Sequence, residues 1–237
     1  MPAVASKRYR SAAQLVDPKK TYSLAEAMQL LQQLPKTKFD ETVELSLPLD
    51  LDTKQAEVVV RGTVVLPHGT GKSRRVIVFC KGERAAEAQA AGAELVGALD
   101  LVEKVNGGWM DFDVAVATPD MMKDVSRLGR FLGPRGLMPS PKAGTVTDDV
   151  AKAVKEVKGG RIEFKMDKQA NMHVVIGKRS FQPQQLVENA QAVLEAIMRA
   201  KPTNAKGRFV TSATVAGTMS PGIRIDVSAY TASETAE

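Results

Sequence analysis

The sequence predicts an α+β first domain, built as a split, antiparallel sheet with helices, and an inserted α/β second domain that is three-layered and Rossmann-like. Three observations support this fold class. Near both ends, strands alternate apolar and polar residues, as when one sheet face is buried. In the middle, a continuous apolar strand at 74–80 is followed by strands alternating with helices, which is typical of βαβ units. Glycine-containing breaks lie on both sides of this middle segment.

The length of 237 residues gives each of two domains enough material for a hydrophobic core. We predict a discontinuous first domain, 1–67 with 161–237, and an inserted second domain, 68–160. The breaks predict hinges near 67–72 and 158–161.

The first segment is predicted to begin with a basic arm and to contain one helix and two strands. Residues 1–20 are basic with little hydrophobic pattern. Ser23 is placed to cap a helix that Pro35 ends. The predicted elements are the arm at 1–20, the helix at 24–34 and the strands at 39–47 and 58–66.

The middle segment is predicted as strands alternating with helices. These are strands at 74–80 and 114–117, and helices at 83–91, 99–105, 121–131 and 147–157.

The last segment returns to alternating strands and holds the clearest helix of the chain. We predict a hairpin, in which a strand at 161–167 turns at 168–170 into a partner at 173–177. The helix has an apolar stripe with a period of 3.6 residues. It is predicted at 183–200, followed by strands at 208–216 and 223–227 and a polar tail from 228.

Composition indicates a polyanionic partner only weakly. There are 33 Lys and Arg against 27 Asp and Glu, a net charge of +6, and the excess is spread over all three segments. Cys80 is the single cysteine, so no intramolecular disulfide can form, and we expect a reducing, cytoplasmic setting. No apolar run reaches the ~20 residues of a membrane span, and the first residues lack the apolar core of a secretory signal.

The sequence offers little catalytic chemistry. The run GTGKS at 69–73 is similar to the end of a phosphate-binding loop, but it leads into a strand instead of a helix, which favours a hinge. Gly-x-Ser-x-Gly, His-Glu-x-x-His and Gly-x-Gly-x-x-Gly motifs are absent from the sequence. We therefore expect that the protein is not an enzyme and that it uses no cofactor, metal or small-molecule substrate. A nucleotide-dependent α/β enzyme that uses the middle segment is the alternative.

Two basic clusters are candidates for phosphate contacts. Glycine and proline hold the stretch 128–144 out of regular structure, so that Arg127, Arg130 and Arg135 can present guanidinium groups; a solvated loop is an equally good interpretation. The second cluster comprises Arg199, Lys201, Lys206 and Arg208.

A turn at 218–222 joins the last two strands. Proline and glycine suit a turn, but an exposed Met219 beside Thr218 and Ser220 does not follow from turn geometry. Small hydroxyl side chains at a sheet rim suit contacts with the 2′-hydroxyls and phosphates of folded RNA.

With these stretches in view, the chain resembles the L-one type family of bacterial ribosomal proteins, the first-numbered proteins of the large subunit, which belong to its mobile lateral stalk. The resemblance covers nearly the whole length. It is carried by KFDETVE at 38–44, VRG at 60–62, LPHGTGK at 66–72, GWMDFD at 108–113, LGPRGLMP at 132–139, RIEF at 161–164, AKP at 200–202, AKG at 205–207 and TM at 218–219.

The resemblance implies that the first domain, built from both termini, binds the stalk region of large-subunit ribosomal RNA. The implied contact residues are Lys38, Phe39, Thr42, Glu44, Ser212, Thr218, Met219 and Ser220, extended by Arg161, Lys165, Lys168 and His173. Ser220 departs from the family, which has glycine there. Arg127, Arg130 and Arg135 are candidates for secondary RNA contacts on the second domain.

The resemblance also implies that the protein moves with the stalk, assists the release of deacylated tRNA from the exit site, and represses its own operon mRNA. A cytoplasmic, ribosome-associated protein with no membrane partner is expected. A messenger-binding repressor with no ribosomal role is the remaining alternative.

Overall fold

The structure is a computed structural model that describes residues 6–51, 60–82, 84–202 and 209–228. The chain forms two compact units: Met1–Gly71 with Ile162–Glu237, and Lys72–Arg161. Residues 68–71 thus lie with the first unit and Arg161 with the second. The predicted strand positions 58–59 and 208, the cluster residues Lys206 and Arg208, and the tail beyond 228 lie outside the described residues.

The first unit is a mixed α/β structure with antiparallel strands. Its helices are α1 (Lys7–Leu15), α2 (Leu24–Gln33) and α8 (Pro183–Arg199), and its strands are β1 (Thr42–Pro48), β2 (Arg61–Val65), β6 (Arg161–Lys165), β7 (Asn171–Lys178), β8 (Ala213–Gly217) and β9 (Ile223–Ile225). A four-stranded sheet has the order β7-β1-β8-β9, with all three neighbouring pairs antiparallel, and β2 pairs with β6 in a separate two-stranded sheet.

One face of the four-stranded sheet is buried and the other carries polar residues. Along β1, Val43, Leu45 and Leu47 are fully buried and belong to one core with apolar residues of α2 and α8. The alternating positions Thr42 and Glu44 are only half-buried. The period-2 pattern of the sequence therefore assigned this strand and its buried side correctly.

Helix α2 is confirmed with its predicted cap. The Ser23 hydroxyl accepts from Glu26 N at 3.3 Å, and the Glu26 carboxylate accepts from Ser23 N at 3.1 Å. This reciprocal pair satisfies two backbone donors that a helix start leaves unpaired. The backbone N–H of Ser23 also lowers the pKa of Glu26.

The predicted basic arm at 1–20 is wrong for residues 7–15, which form helix α1, and its residues 1–5 lie outside the described residues. The Ser6 hydroxyl caps this helix by accepting from Tyr9 N at 3.2 Å. Ala12 and Val16 are buried in the core of the first unit. Ala12 lies in α1 and Val16 follows it as an extended C-cap residue, so the apolar signal of this segment consists of few side chains.

The predicted hairpin between 161–167 and 173–177 is also wrong, because these two strands do not pair with each other along their length. Strand β6 pairs with β2 and β7 pairs with β1, and a single bridge between Met166 and Met172 joins the two segments. The turn itself is tight, because the Asp167 carboxylate accepts from Gln169 N at 2.8 Å and Asn171 N at 2.7 Å. It places β7 where its buried residues share the core with those of β1.

The second unit is a parallel sheet with apolar clusters on both sides. Its strands β3 (Val76–Phe79), β4 (Leu95–Gly97) and β5 (Val114–Ala117) have the order β4-β3-β5, and its helices are α3 (Arg84–Ala90), α4 (Leu99–Asn106), α5 (Met122–Val125), α6 (Gly129–Leu132) and α7 (Val150–Lys158). Ile77 and Phe79 join one cluster and Val76 and Val78 the other. Helices therefore cover both faces, as the continuous apolar strand predicted.

The second unit differs from the predicted elements in two places. Strand β4 was not predicted, since it has three residues and all are half-buried. The long helix expected at 121–131 is instead a 3₁₀ turn, α5, a second 3₁₀ turn and α6. The Ser126 hydroxyl donates to the Lys123 carbonyl at 2.8 Å, and such local bonds compete with the helical ladder.

No helix in the described ranges is long and apolar enough to cross a lipid bilayer.

Candidate nucleic-acid interface

The structure brings two predicted site residues into direct contact where β1 begins and β8 ends. Thr42 N donates to the Thr218 hydroxyl at 3.1 Å, and this hydroxyl donates to the Thr42 carbonyl at 3.2 Å. Thr218 N donates to the same carbonyl at 3.0 Å. One exposed threonine thus joins the loop before β1 to the turn after β8.

Two large apolar side chains are exposed on these two segments. Phe39, in the loop before β1, is 55 % exposed and Met219, in the turn after β8, is 52 % exposed. Lys38 and Lys178 add positive charge; Lys38 is exposed, and Lys178 Nζ donates to the Thr42 hydroxyl at 2.8 Å. An aromatic ring, a thioether, hydroxyls and ammonium groups at one sheet end suit stacking and polar contacts with folded RNA.

A buried ion pair beneath this surface fixes both segments. Glu41 is fully buried; one carboxylate oxygen accepts from Met219 N at 3.1 Å and the other from the Arg179 guanidinium. Arg179 is 8 % exposed and also donates to the Leu34 and Pro35 carbonyls. The turn that carries Met219 is therefore positioned by a charge-assisted bond from the protein interior.

Neither partner of this pair was singled out from the sequence. Glu41 lies two residues before Val43 in the alternating pattern that continues with Leu45 and Leu47. It therefore occupies a position whose side chain points to the buried side. A carboxylate at such a position requires a buried cation. The alternating pattern could have indicated that Glu41 is buried. It could not have identified its partner Arg179, which lies 138 residues away in the chain.

Arg8 of α1 also contacts the turn. Its guanidinium donates to the Met219 carbonyl at 2.5 Å and the Pro35 carbonyl at 3.4 Å. The segment interpreted as a basic arm thus supplies a side chain that connects α1 with both loops of the candidate site.

Ser220 closes the turn. Its hydroxyl accepts from Gly217 N at 2.7 Å, and its own N–H donates to the Gly217 carbonyl at 3.1 Å. A Cβ on Gly217 would come within 2.6 Å of this hydroxyl. The Ser220 side chain therefore adds a hydrogen bond to the turn.

We predict that Ser220→Ala lowers the free energy of unfolding by about 1 kcal/mol, because the N–H of buried Gly217 loses its hydroxyl acceptor. The amide of Gly217 should exchange faster with solvent, which NMR hydrogen exchange can measure. Ser11→Ala is the control, because Ser11 is an exposed serine of the same unit whose hydroxyl donates to the Lys7 and Arg8 carbonyls within α1. Unchanged exchange at Gly217 would show that the hydroxyl does not hold the turn.

The polar face of the four-stranded sheet extends the site. Glu44 lies opposite Val175 of β7 and Ala216 of β8, and Ser46 lies opposite His173 and Thr214. The Ser46 hydroxyl is 3.0 Å from His173 Nδ1. The predicted Glu44 and His173 therefore share this face, to which the structure adds Ser46, Val175, Thr214 and Arg224. Ser212 precedes β8, at the end away from Thr218.

The other predicted contacts lie elsewhere. Lys165 ends β6 in the two-stranded sheet and Lys168 lies in the following turn; both are exposed. In this turn the backbone N–H of Asn171 lowers the pKa of Asp167. Arg161 belongs to the second unit, where its guanidinium is bound to Glu156 at 2.6 Å.

The three predicted arginines of the second unit are exposed, but two of them lie in helical segments and not in an irregular loop. Arg127 lies in a 3₁₀ turn, with its side chain 72 % exposed, and Arg130 lies in α6. Only Arg135 is in a turn, which the bond from Gly136 N to the Gly133 carbonyl closes. The prediction that glycine and proline exclude regular structure holds for residues 133–140, whereas Pro141–Ala143 form a further 3₁₀ turn.

The geometry disfavours a nucleotide site. The segment 69–73 leads to strand β3, and its Gly69 is bonded through the Asn189 side chain to helix α8. A cleft of about 260 Å³ at the carboxyl ends of β3 and β5 is lined by Lys81, Arg84, Thr118 and Asp120. Arg84 is paired with Asp148 at 2.9 Å, so the carboxylates of Asp120 and Asp148 offset the two cations, Lys81 and Arg84, that a phosphate would meet in this cleft. Among the described residues no group of three His, Cys, Asp or Glu could hold a metal ion.

Comparison with known proteins identifies the family. The model of the Ribosomal protein L1p/L10e family matches residues 30–221. The "Large ribosomal subunit protein uL1" of Rhodococcus erythropolis is 58% identical over 221 residues, which is 93% of this chain and 92% of the relative. Those of Clavibacter michiganensis subsp. michiganensis and Kosmotoga olearia are 57% and 55% identical, over 94% and 93% of this chain and 97% and 96% of their own lengths. The chain therefore belongs to the Ribosomal protein L1p/L10e family.

Proposed function

We propose that this protein binds large-subunit ribosomal RNA at the lateral stalk through the surface that we call the stalk patch. It is a structural, non-enzymatic ribosomal protein of the large subunit and works on the ribosome in the cytoplasm. The stalk patch comprises Lys38, Phe39, Thr42, Glu44, His173, Thr218, Met219 and Ser220. Lys165, Lys168 and Ser212 extend it on the first unit.

The observation that carries the proposal is the fixed junction of Thr42, Thr218 and Glu41. Binding folded RNA by shape requires contact groups that are already in place, because ordering loops on binding costs free energy. Here the two loops that carry Phe39 and Met219 are bonded to each other and to a buried carboxylate. The stalk patch is thus preorganised.

The charge distribution supports recognition of RNA shape over general phosphate attraction. A net charge of +6 on 237 residues gives a weak overall field. The stalk patch includes Glu44, an acidic residue that disfavours nonspecific phosphate contact. Hydroxyls and exposed backbone groups can bond the 2′-hydroxyls that distinguish RNA from DNA.

Two further roles rest on the family resemblance. We propose that the protein assists the release of deacylated tRNA from the exit site, with Arg127, Arg130 and Arg135 of the second unit and Arg161 as secondary RNA contacts. We also propose that it represses its own operon mRNA. One preorganised patch serves both RNAs if the messenger presents the same local shape as the ribosomal site.

A salt series of RNA binding tests the proposal. The full chain should bind a stalk fragment of large-subunit rRNA at least about 10³-fold more tightly than a regular RNA hairpin of equal length. The logarithm of affinity should fall with the logarithm of salt with a shallow slope, corresponding to about two to four phosphate contacts. Equal affinity for both RNAs, or a steep slope with both, would contradict recognition of shape.

A further inference from the structure

Helix α1 is joined to both loops of the stalk patch through Arg8. The Arg8 guanidinium donates to the Met219 carbonyl at 2.5 Å and to the Pro35 carbonyl at 3.4 Å. The N–H of Met219 donates to buried Glu41, and the Pro35 carbonyl also accepts from Arg179 at 3.3 Å. The first turn of α1 is therefore fixed against the stalk patch, although the sequence resemblance assigned no contact residue to this helix.

Two exposed lysines lie next to the residues that form this junction. Lys7 precedes Arg8 in α1, and Lys36 follows Pro35. Lys36 also lines a cleft of about 250 Å³ together with Phe39, which places it beside the exposed ring of the stalk patch. Within the described ranges, no carboxylate pairs with the ammonium group of either lysine. Both ammonium groups can therefore bind an anionic ligand.

The balance of charge at the junction is positive. Two carboxylates line the cleft, and that of Glu41 is paired with Arg179. The Asp40 carboxylate keeps its charge, and its two oxygens accept from the N–H and the hydroxyl of Ser180 at 3.1 and 2.8 Å. The exposed cations that surround this one charge are Lys7, Lys36 and Lys38. An excess of positive charge attracts anions, and the anion that a bound RNA brings to this border is its phosphate backbone.

We propose that the RNA on the stalk patch continues across the Arg8 junction, where Lys7 and Lys36 each bind one of its phosphates. Phosphate contacts position a strand, whereas contacts to its bases and shape select it. A lysine ammonium is a point charge on a flexible stem, so it meets a phosphate without the fixed orientation that a base contact requires. This inference rests on the proposed RNA-binding function and extends the contact surface to α1. The two lysines account for two of the about two to four phosphate contacts expected.

Lys19 and Lys20 provide a matched control pair at the other end of the sheet. Both are exposed, and they precede Tyr22, whose N–H donates to the Arg224 carbonyl at 2.9 Å. Arg224 pairs near the start of β8, whereas Met219 follows the end of this strand. Removing two lysines at either place lowers the net charge of the chain equally, so general attraction of RNA changes equally.

A salt series with the stalk rRNA fragment compares the two pairs in the full chain. Lys7→Gln with Lys36→Gln should bind more than about tenfold more weakly than the parent at ~0.1 M salt. The slope of log affinity against log salt should be shallower by about 1.4–1.8, since each lost phosphate contact contributes about 0.7–0.9. Lys19→Gln with Lys20→Gln should change affinity by less than about threefold. Lys7→Arg with Lys36→Arg keeps both charges and should keep the parent slope. An equal change of slope in the two glutamine variants would overturn the inference.

Neutral linkages in the RNA backbone separate this inference from the proposed function. A methylphosphonate linkage carries no charge, so at a contacted position it should weaken binding of the parent about fivefold and that of Lys7→Gln with Lys36→Gln by less than about twofold. If the parent prefers the stalk fragment to a regular hairpin but no linkage behaves in this way, the inference is wrong and the proposed function stands. If the parent binds both RNAs equally, the proposed function is wrong. A slope that still becomes shallower in the same variant then shows that the two lysines bind phosphate without recognition of RNA shape.

Discussion

Replacing Arg179 with methionine should lower the free energy of unfolding of the first unit by about 3–5 kcal/mol, the usual cost of removing one partner of a buried ion pair. Arg179 is 8 % exposed and Glu41 is fully buried. The variant leaves the Glu41 carboxylate in the core without its cation and removes the donor to the Leu34 and Pro35 carbonyls. The loss should therefore exceed that of any exposed ion pair in the described residues.

The control for this experiment is Arg199→Met. Arg199 pairs with Glu195 on the surface of α8 at 3.8 Å, with side chains 83% and 61% exposed, and its loss should change stability by less than about 1 kcal/mol. Denaturant unfolding followed by circular dichroism compares the two variants. Hydrogen exchange should also show a faster amide at Met219, which donates to Glu41. Equal stability of the two variants would mean that the pair does not hold the loops.

The double variant Arg179→Met with Glu41→Gln separates the ion pair from packing. Removing both charges also removes the unpaired carboxylate, so the double variant should be more stable than Arg179→Met alone. If the second change adds a further loss, the instability of Arg179→Met comes from cavity or packing effects.

Most elements of the fold followed from local pattern, and the errors have physical reasons. Alternation predicted β1, a capping residue predicted α2 and a 3.6-residue stripe predicted α8, because these signals lie within a few neighbouring residues. Strand pairing is not local: β7 forms its ladder with β1, more than a hundred residues earlier in the chain, and not with β6, which immediately precedes it. Strand β4 and the helical segments around Ser126 are each too short to show a repeating pattern of apolar residues, so their bounds could not be predicted from the sequence.

The sequence resemblance proposed candidate contact residues but not the side chains that support them. Thr42 and Thr218 were proposed together and are bonded, although 176 residues separate them. Glu41, Arg179 and Arg8 were not proposed, because their effect depends on a tertiary arrangement that no motif spacing encodes. Candidate contact residues can be proposed from a family resemblance one by one, whereas the buried residues beneath them were identified only from the structure.

Replacing Thr218 with valine should weaken binding to the stalk rRNA fragment by about 1–3 kcal/mol, a factor of about 5 to 150. Valine keeps the branched shape but has no hydroxyl, so Thr42 N loses its acceptor and the Thr42 carbonyl one of its two donors. The variant thus loses the hydroxyl proposed to contact RNA and both bonds that this hydroxyl makes between the two loops, while the bond from the backbone N–H at 218 to the Thr42 carbonyl remains. Equilibrium binding at fixed salt measures the change, since phosphate contacts vary with ionic strength.

Thr147→Val in the second unit is the matched control, because the Thr147 hydroxyl also accepts a backbone N–H, that of Asp149, at 3.2 Å. It should bind the fragment like the parent. If Thr218→Val remains folded and binds like the parent too, the stalk patch is misplaced. If instead both variants bind more weakly by the same factor, the second unit contributes to affinity as strongly as the first. The proposed division, with primary contacts on the first unit and secondary ones on the second, requires a loss with Thr218→Val alone.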